Sequence, residues 1–284
     1  MKKILFSSVT ALTLLSSVAT ASDKYNGFSY IGFGVETATY QEIGVTKEGK
    51  AFKSSATSSS PVYISGSLIN INNNFDFTID ASSTLMATTT DEKWQEDGYL
   101  VQANKFDSVQ SDLKFLLHYK MNNNHRIAFG PNYNMFSMKR HTYTNPADGS
   151  EKLDNGDSIG LNQEDIATLN MMLGYWYESK PFSNGGMRVS VSALYGMPIW
   201  NKATNTSTAE IEFSSTDGST INLNGYLGFE LTKGLEMGAF VGYSIKDKSS
   251  TDKVQVNASS ITWPENELET VRYGISFVWN FDAK

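Results

Sequence analysis

Three histidines, no cysteine and a set of charges at alternating positions are the residues on which any chemistry of this chain must rest. The absence of cysteine removes disulfides, thiol nucleophiles and thiolate-held metals. His118 and His125 flank the turn triplet Asn122-Asn123-Asn124, with no further metal-ligating partner beside them, so they make no metal pair. His141 stands in Lys139-Arg140-His141, without an acidic neighbour to orient it as a base. No Gly-x-Ser-x-Gly marks a serine nucleophile. Asp154-Asn155-Gly156-Asp157-Ser158 echoes a calcium loop but lacks its spacing and closing Glu, and reads as a solvated acidic loop. No catalytic residue, metal ligand or cofactor is expected from these motifs.

The charges are more informative. Glu36, Asp76, Asp80, Lys114, Arg126, Glu178, Arg188, Glu230 and Arg272 all sit in runs where apolar residues recur at every second position. Each charge occupies the other phase. Asp76 and Asp80, for example, lie between Phe75, Phe77, Ile79 and Ala81. A period of two is a strand with two unlike faces. Charges of both signs on one face predict either ion pairs that fill an interior or a narrow charge-lined channel. Glu36 and Arg272 lie at matching depths in the first and last runs and are the best pair. Glu178–Arg188, across one turn, and Asp80–Lys114, on neighbouring runs, are weaker pairs.

Ten such runs can be traced, with twelve as the alternative count. They are joined in strict alternation. Short turns fall at Asn72, Asn122, Ser179 and Thr232. Long polar stretches span 41–60, 88–107, 141–165, 201–218 and 246–268. The triplets Asn72 to Asn74 and Asn122 to Asn124 suit tight hairpins, because Asn tolerates positive φ. Pro131 interrupts the fifth run and predicts a bulge or an edge there. The tip of 201–218 reads as a small hairpin extending the flanking strands.

The last run carries Tyr273, Ile275, Phe277, Trp279 and Phe281 on one face, with Asp282-Ala283-Lys284 trailing. At the other end Lys2 and Lys3, an apolar core and Ala19-Thr20-Ala21 form a cleavable export signal. Residues 1–21 are therefore signal and 22–284 the mature barrel. With export, an aromatic closing strand and short-turn/long-loop alternation, the chain resembles Gram-negative outer-membrane β-barrel proteins in general. The resemblance implies an all-β, ten-stranded antiparallel transmembrane barrel of up-and-down topology, with five long extracellular loops and apolar rows facing lipid. Tyr119, Phe75, Tyr177 and Trp279 would form one aromatic girdle, and Tyr133, Tyr195 and Tyr243 the other. Several strands exceed the roughly 9–11 residues that a bilayer needs, so the barrel should project outward.

Composition agrees. The chain has 14 Tyr, 16 Phe and 5 Trp but only 6 Pro. Its negative mean hydropathy is compatible with a surface that shows lipid only every second residue. Of 23 basic residues, Lys2 and Lys3 leave with the signal, so 21 face 30 acidic ones and the net is −9. Such a chain is a poor nucleic-acid binder. Expected partners are outer-membrane lipid, lipopolysaccharide (through Lys139-Arg140 at the rim) and the barrel-assembly machinery. Oligomeric state is not legible. Length and strand number also resemble the omptin family of outer-membrane proteases, which use an Asp pair and Asp-x-His near the outer rim. This chain has no Asp-x-His. The expectation is thus a non-enzymatic surface protein with a filled or very narrow lumen. A narrow porin-like channel, and an omptin-like or lipid-acting hydrolase, are the alternatives.

Overall fold

The computed structural model of the protein describes residues 27–45, 49–122, 124–145, 153–154, 157–158, 162–179, 187–205, 211–256 and 259–281. The signal segment 1–21 and the trailing residues 282–284 lie outside the described residues. Every described element is a strand. In order these are β1 (Gly27–Val45), β2 (Ala51–Asn70), β3 (Phe75–Thr84), β4 (Thr90–Glu96), β5 (Tyr99–Lys120), β6 (His125–Thr144), β7 (Leu153–Asp154) and β8 (Asp157–Ser158). They continue with β9 (Asn162–Glu178), β10 (Met187–Asn205), β11 (Ile211–Ser215), β12 (Ser219–Thr232), β13 (Leu235–Lys248), β14 (Asp252–Val256), β15 (Ser259–Trp263) and β16 (Glu265–Asn280).

Twelve of these strands form one antiparallel sheet that closes on itself. Around the ring run β1, β2, β3, β5, β6, β9, β10, β12, β13 and β16, which returns to β1. Two places in the ring are shared. β4 takes over from β3 between β2 and β5, and β11 pairs with the upper part of β10. Ten places around the ring match the count from sequence. The pairs β7–β8 and β14–β15 are small separate hairpins. Closure runs from Phe28↔Asn280 to Ile43↔Glu265, so the first and last strands share their whole length. A closed ring leaves no strand edge to solvate, which is the condition for crossing lipid with strands.

The outer face carries the apolar rows. Phe33, Phe115, Phe129, Leu173, Val191, Leu227, Val241 and Ile275 are all exposed. A continuous apolar belt of this kind is stable only against lipid. Tyr119 and Trp279 border it near the short turns, and Tyr133 and Tyr195 near the other end.

Three local expectations are revised. The polar stretches 41–60 and 88–107 are mostly strand: β1 reaches Val45, β2 begins at Ala51, and Asp97-Gly98 turns β4 into β5. Above the belt the outer residues face water, so the apolar alternation that marks a strand disappears. Hydroxyl pairs such as Thr37–Ser59 and Thr39–Thr57, both 3.0 Å, replace it. Asp97 and Gly98 have φ of 48° and 84°, the two positive values that a type I′ hairpin needs. The described Asn residues of the triplets have no positive φ. They act through their side chains: Asn72 Oδ1 accepts the N–H of Asn74 and Phe75, and Asn122 Oδ1 those of Asn124 and His125. Finally, Pro131 makes no bulge. The β5–β6 ladder skips it in register, between Lys114↔Asn132 and Leu117↔Phe129, with Gly130 at φ 151°. A proline does accompany a register shift elsewhere, at Pro198 in the β9–β10 ladder.

Candidate functional site: the packed lumen

Strand alternation aims one residue in two at the barrel axis, and ten strands enclose a space that side chains can nearly fill. Four kinds of packing succeed one another along that axis.

Nearest the short turns is a layer of ions. Arg188 is 1% exposed and reaches Glu178 Oε1 at 2.9 Å, Glu236 Oε2 at 3.0 Å and Asn280 Oδ1 at 2.7 Å. Its guanidinium lies 4.4 Å from the centre of the Phe28 ring. Arg126 bonds Asp76 at 2.7 Å and Glu178 at 3.3 Å, and Lys120 holds the other Asp76 oxygen at 2.7 Å. Three cations thus face three carboxylates from six strands, β3, β5, β6, β9, β10 and β13. Over this layer sits an apolar stopper of Leu116, Ala128, Met172 and Leu194, all buried.

Higher up is a polar network. Glu36 and Arg272 face each other in register and are hydrogen-bonded. Arg272 also donates to Ser82 at 2.8 Å. Gln110 donates to Glu36, and Asp112 faces Lys246 at 3.1 Å and Lys114 at 3.7 Å. From Asp112 a chain of carboxamides crosses the wall: Asn132 donates to Asp112, Asn134 to Asn132 at 3.0 Å, and Asn170 to Asn134 at 3.3 Å.

Above the belt lies a mixed core. Tyr40 packs against Phe106 and Phe136, with ring centres 6.0 and 5.2 Å apart. Arg140 sits among the Tyr40, Trp94 and Phe106 rings and pairs with Glu42 at 2.7 Å, Glu92 at 2.8 Å and Glu164 at 3.6 Å. Burial opposes the charge on Arg140, but the three carboxylates outweigh it and raise its pKa. Burial likewise holds the Glu164 carboxyl above the usual range and pushes Tyr143 up to about 12.

The charges read from sequence are distributed as follows. Glu36 with Arg272 and Glu178 with Arg188 stand as pairs. Asp80 and Lys114 are opposite each other in register, but Asp80 accepts the Tyr30 hydroxyl at 2.8 Å while the ion pair of Lys114 is with Asp112. Glu230 lies at a short turn, where it accepts the Gly234 N–H at 3.2 Å. Sequence reading missed Asp112, Glu92 and the carboxamides, because their partners are set by register across strands distant in sequence.

The histidines fall apart. His118 points inward to Thr78, 2.9 Å away, and lies edge-on to Trp176. His125 packs against Tyr175 and Tyr177. His141 faces outward, and the acidic neighbour it lacks in sequence is supplied across the ladder by Asp107, at 3.5 Å. Arg140 is buried in the upper core, so the expected contact of Lys139-Arg140 with lipopolysaccharide is corrected: only Lys139 has the outward phase.

Comparison with solved structures gives the outer-membrane protease OmpT from Escherichia coli, at 10% identity and a TM-score of 0.67, covering 92% of this chain and 99% of that one. This is the fold of a bacterial outer-membrane β-barrel. The translocator domain of the autotransporter NalP from Neisseria meningitidis matches at 10% identity over 96% of this chain and 95% of that one, with a TM-score of 0.33. A mutant of the monoaromatic hydrocarbon channel TodX matches at 8% over 93% and 92%, with a TM-score of 0.38. These last two are too distant to carry an argument. No family model and no curated protein matches the sequence. At 10% identity the OmpT likeness concerns the fold alone.

Proposed function

We propose that this chain is a non-enzymatic outer-membrane barrel with a closed lumen, which anchors a tall water-exposed wall and its hairpins at the cell surface. The observation that carries the reading is Arg188. Its side chain is 1% exposed and is held by groups from β9, β13 and β16. A guanidinium tied to three strands beneath an apolar stopper supports a lumen that hydrated ions do not cross. The purified barrel in planar bilayers should therefore show no steady single-channel current. A regular unitary conductance in the unmodified chain would replace this reading with the narrow-channel one.

A surface hydrolase is the second reading, and the His141–Asp107 contact favours it, since a carboxylate can orient an imidazole as a base. OmpT carries the name of a protease. On the non-enzymatic reading, His141→Ala should leave unchanged any peptide or ester cleavage seen with refolded protein. Loss of such cleavage on that substitution would favour the hydrolase.

A further inference from the structure

Above the belt the wall is a continuous ladder at most junctions, but not at all of them. β10 pairs with β12 only as far as Gly196↔Thr220, and its upper part pairs with β11 from Asn201↔Ser215 to Asn205↔Ile211. On its other side β11 has no ladder to β13 among the described residues. The seam is spanned by side chains instead. Phe213 of β11 meets Trp263 of β15, with ring centres 6.0 Å apart, and Ser250 bonds Asp217 at 2.5 Å.

Beneath this seam lies a cavity of about 50 Å³. Its wall sets Asn170, Asn201 and Thr168 beside the rings of Tyr40, Phe136 and Trp263, and more of it is apolar than polar. Carboxamides and hydroxyls both donate and accept, the same double capacity that a sugar hydroxyl has. The charges at its border are engaged already: Lys246 with Asp112 at 3.1 Å, Lys248 with Asp252 at 2.9 Å, and Asp247 with the Ser219 hydroxyl. An anionic or cationic ligand would have to displace those partners. A wholly apolar ligand would pack on the rings but leave the amides without water, whereas a sugar offers C–H groups to the rings and hydroxyls to the amides. One donor stands ready: Trp263 is 4% exposed, and its indole N–H is buried without an acceptor. A buried donor that meets no acceptor is unfavourable, so a ligand that supplies one gains from it.

We propose that this cavity binds the edge of a neutral saccharide, entering through the β11–β13 seam from the outer side. At roughly 10–15 Å³ for each water-sized group, the space takes a few hydroxyls and leaves the rest of the ring at the mouth. The ligand is a free monosaccharide or one unit of a surface glycan, and the two share this chemistry. The inference does not depend on whether the lumen conducts.

The test uses full mature chain folded in detergent micelles and saturation-transfer NMR. One arm takes free glucose, galactose and N-acetylglucosamine. The other takes oligosaccharide released from lipopolysaccharide. Transfer to a monosaccharide, or to the oligosaccharide alone, supports the site and tells the two sources apart. Trp263→Phe keeps the ring and removes the N–H, and should weaken binding about fivefold, the value of one ordinary hydrogen bond. Asn201→Leu should abolish the transfer. Heat-modifiable gel migration confirms that each variant is folded. No transfer in either arm, or equal transfer in the wild type and both folded variants, overturns the proposal.

Discussion

The lumen is packed at its two ends by different means. At the short-turn end Lys120, Arg126 and Arg188 meet Asp76, Glu178 and Glu236, one cation for each carboxylate. Above the belt Arg140 alone meets Glu42, Glu92 and Glu164, and three aromatic rings complete its surroundings. In the lower layer every one of these side chains is 12% exposed or less, so a net charge there would be poorly hydrated. The upper layer lies in a wall that faces water, and the Glu164 side chain is 22% exposed. An excess of negative charge is tolerable there, and aromatic packing supplies the cohesion that ion balance supplies below.

The contrast can be broken most severely from below. Arg188→Ala leaves Glu178 and Glu236 with a missing cation in a buried layer, a loss of about 3–5 kcal/mol for a buried pair broken on one side. Denaturant unfolding in micelles, followed by gel migration, should show the midpoint fall sharply. The variant should also be the first to conduct in bilayers. An unchanged midpoint would mean that water already reaches this layer and that the ionic seal is not what closes the barrel.

Arg140→Met is the corresponding change above. It removes the one cation that the described residues place among Glu42, Glu92 and Glu164, but the methionine keeps contact with the rings, and part of the released charge can hydrate. The expected loss is smaller, about 2–3 kcal/mol. If Arg140→Met proves more damaging than Arg188→Ala, charge balance is not what distinguishes the two layers.

Sequence made the lower half of this molecule legible and much of the upper half opaque, for a single physical reason. Where the outer face meets lipid, each strand shows its apolar residues in alternate positions, so Phe75 to Ala81 or Val271 to Phe281 declare themselves. Above the belt both faces of the wall can be polar: Ser54, Ser58 and Ser60 point inward while Thr57 and Ser59 point outward. Nothing in that pattern separates strand from loop. Pairing followed the same divide. Glu36–Arg272 could be found because the first and last strands must meet if the ring closes. Asp112 with Lys246, 134 residues apart, could not, since it depends on reach across the lumen. His141 looked isolated because its acid, Asp107, is a neighbour only through the β5–β6 register.

The finest way to sharpen the comparison is Glu164→Gln. Burial raises the Glu164 pKa above its ordinary 4.5 despite the nearby guanidinium, so the fold favours the protonated form more than water does. Well below pH 4.5 the group is protonated in both the folded and the unfolded chain, and its contribution is fully present. As the pH rises past 4.5 the unfolded chain ionises first, and the fold progressively loses stability until the folded carboxyl has also given up its proton. Glutamine cannot ionise and escapes that loss. The variant should therefore match the wild type in acid and be more stable at neutral pH, by on the order of 1 kcal/mol at most, with the gap opening above pH 4.5. Denaturant midpoints of the variant and the wild type across this pH range decide the matter. A Glu164→Gln that destabilises at neutral pH would show that the pairing of Glu164 with Arg140 outweighs its burial.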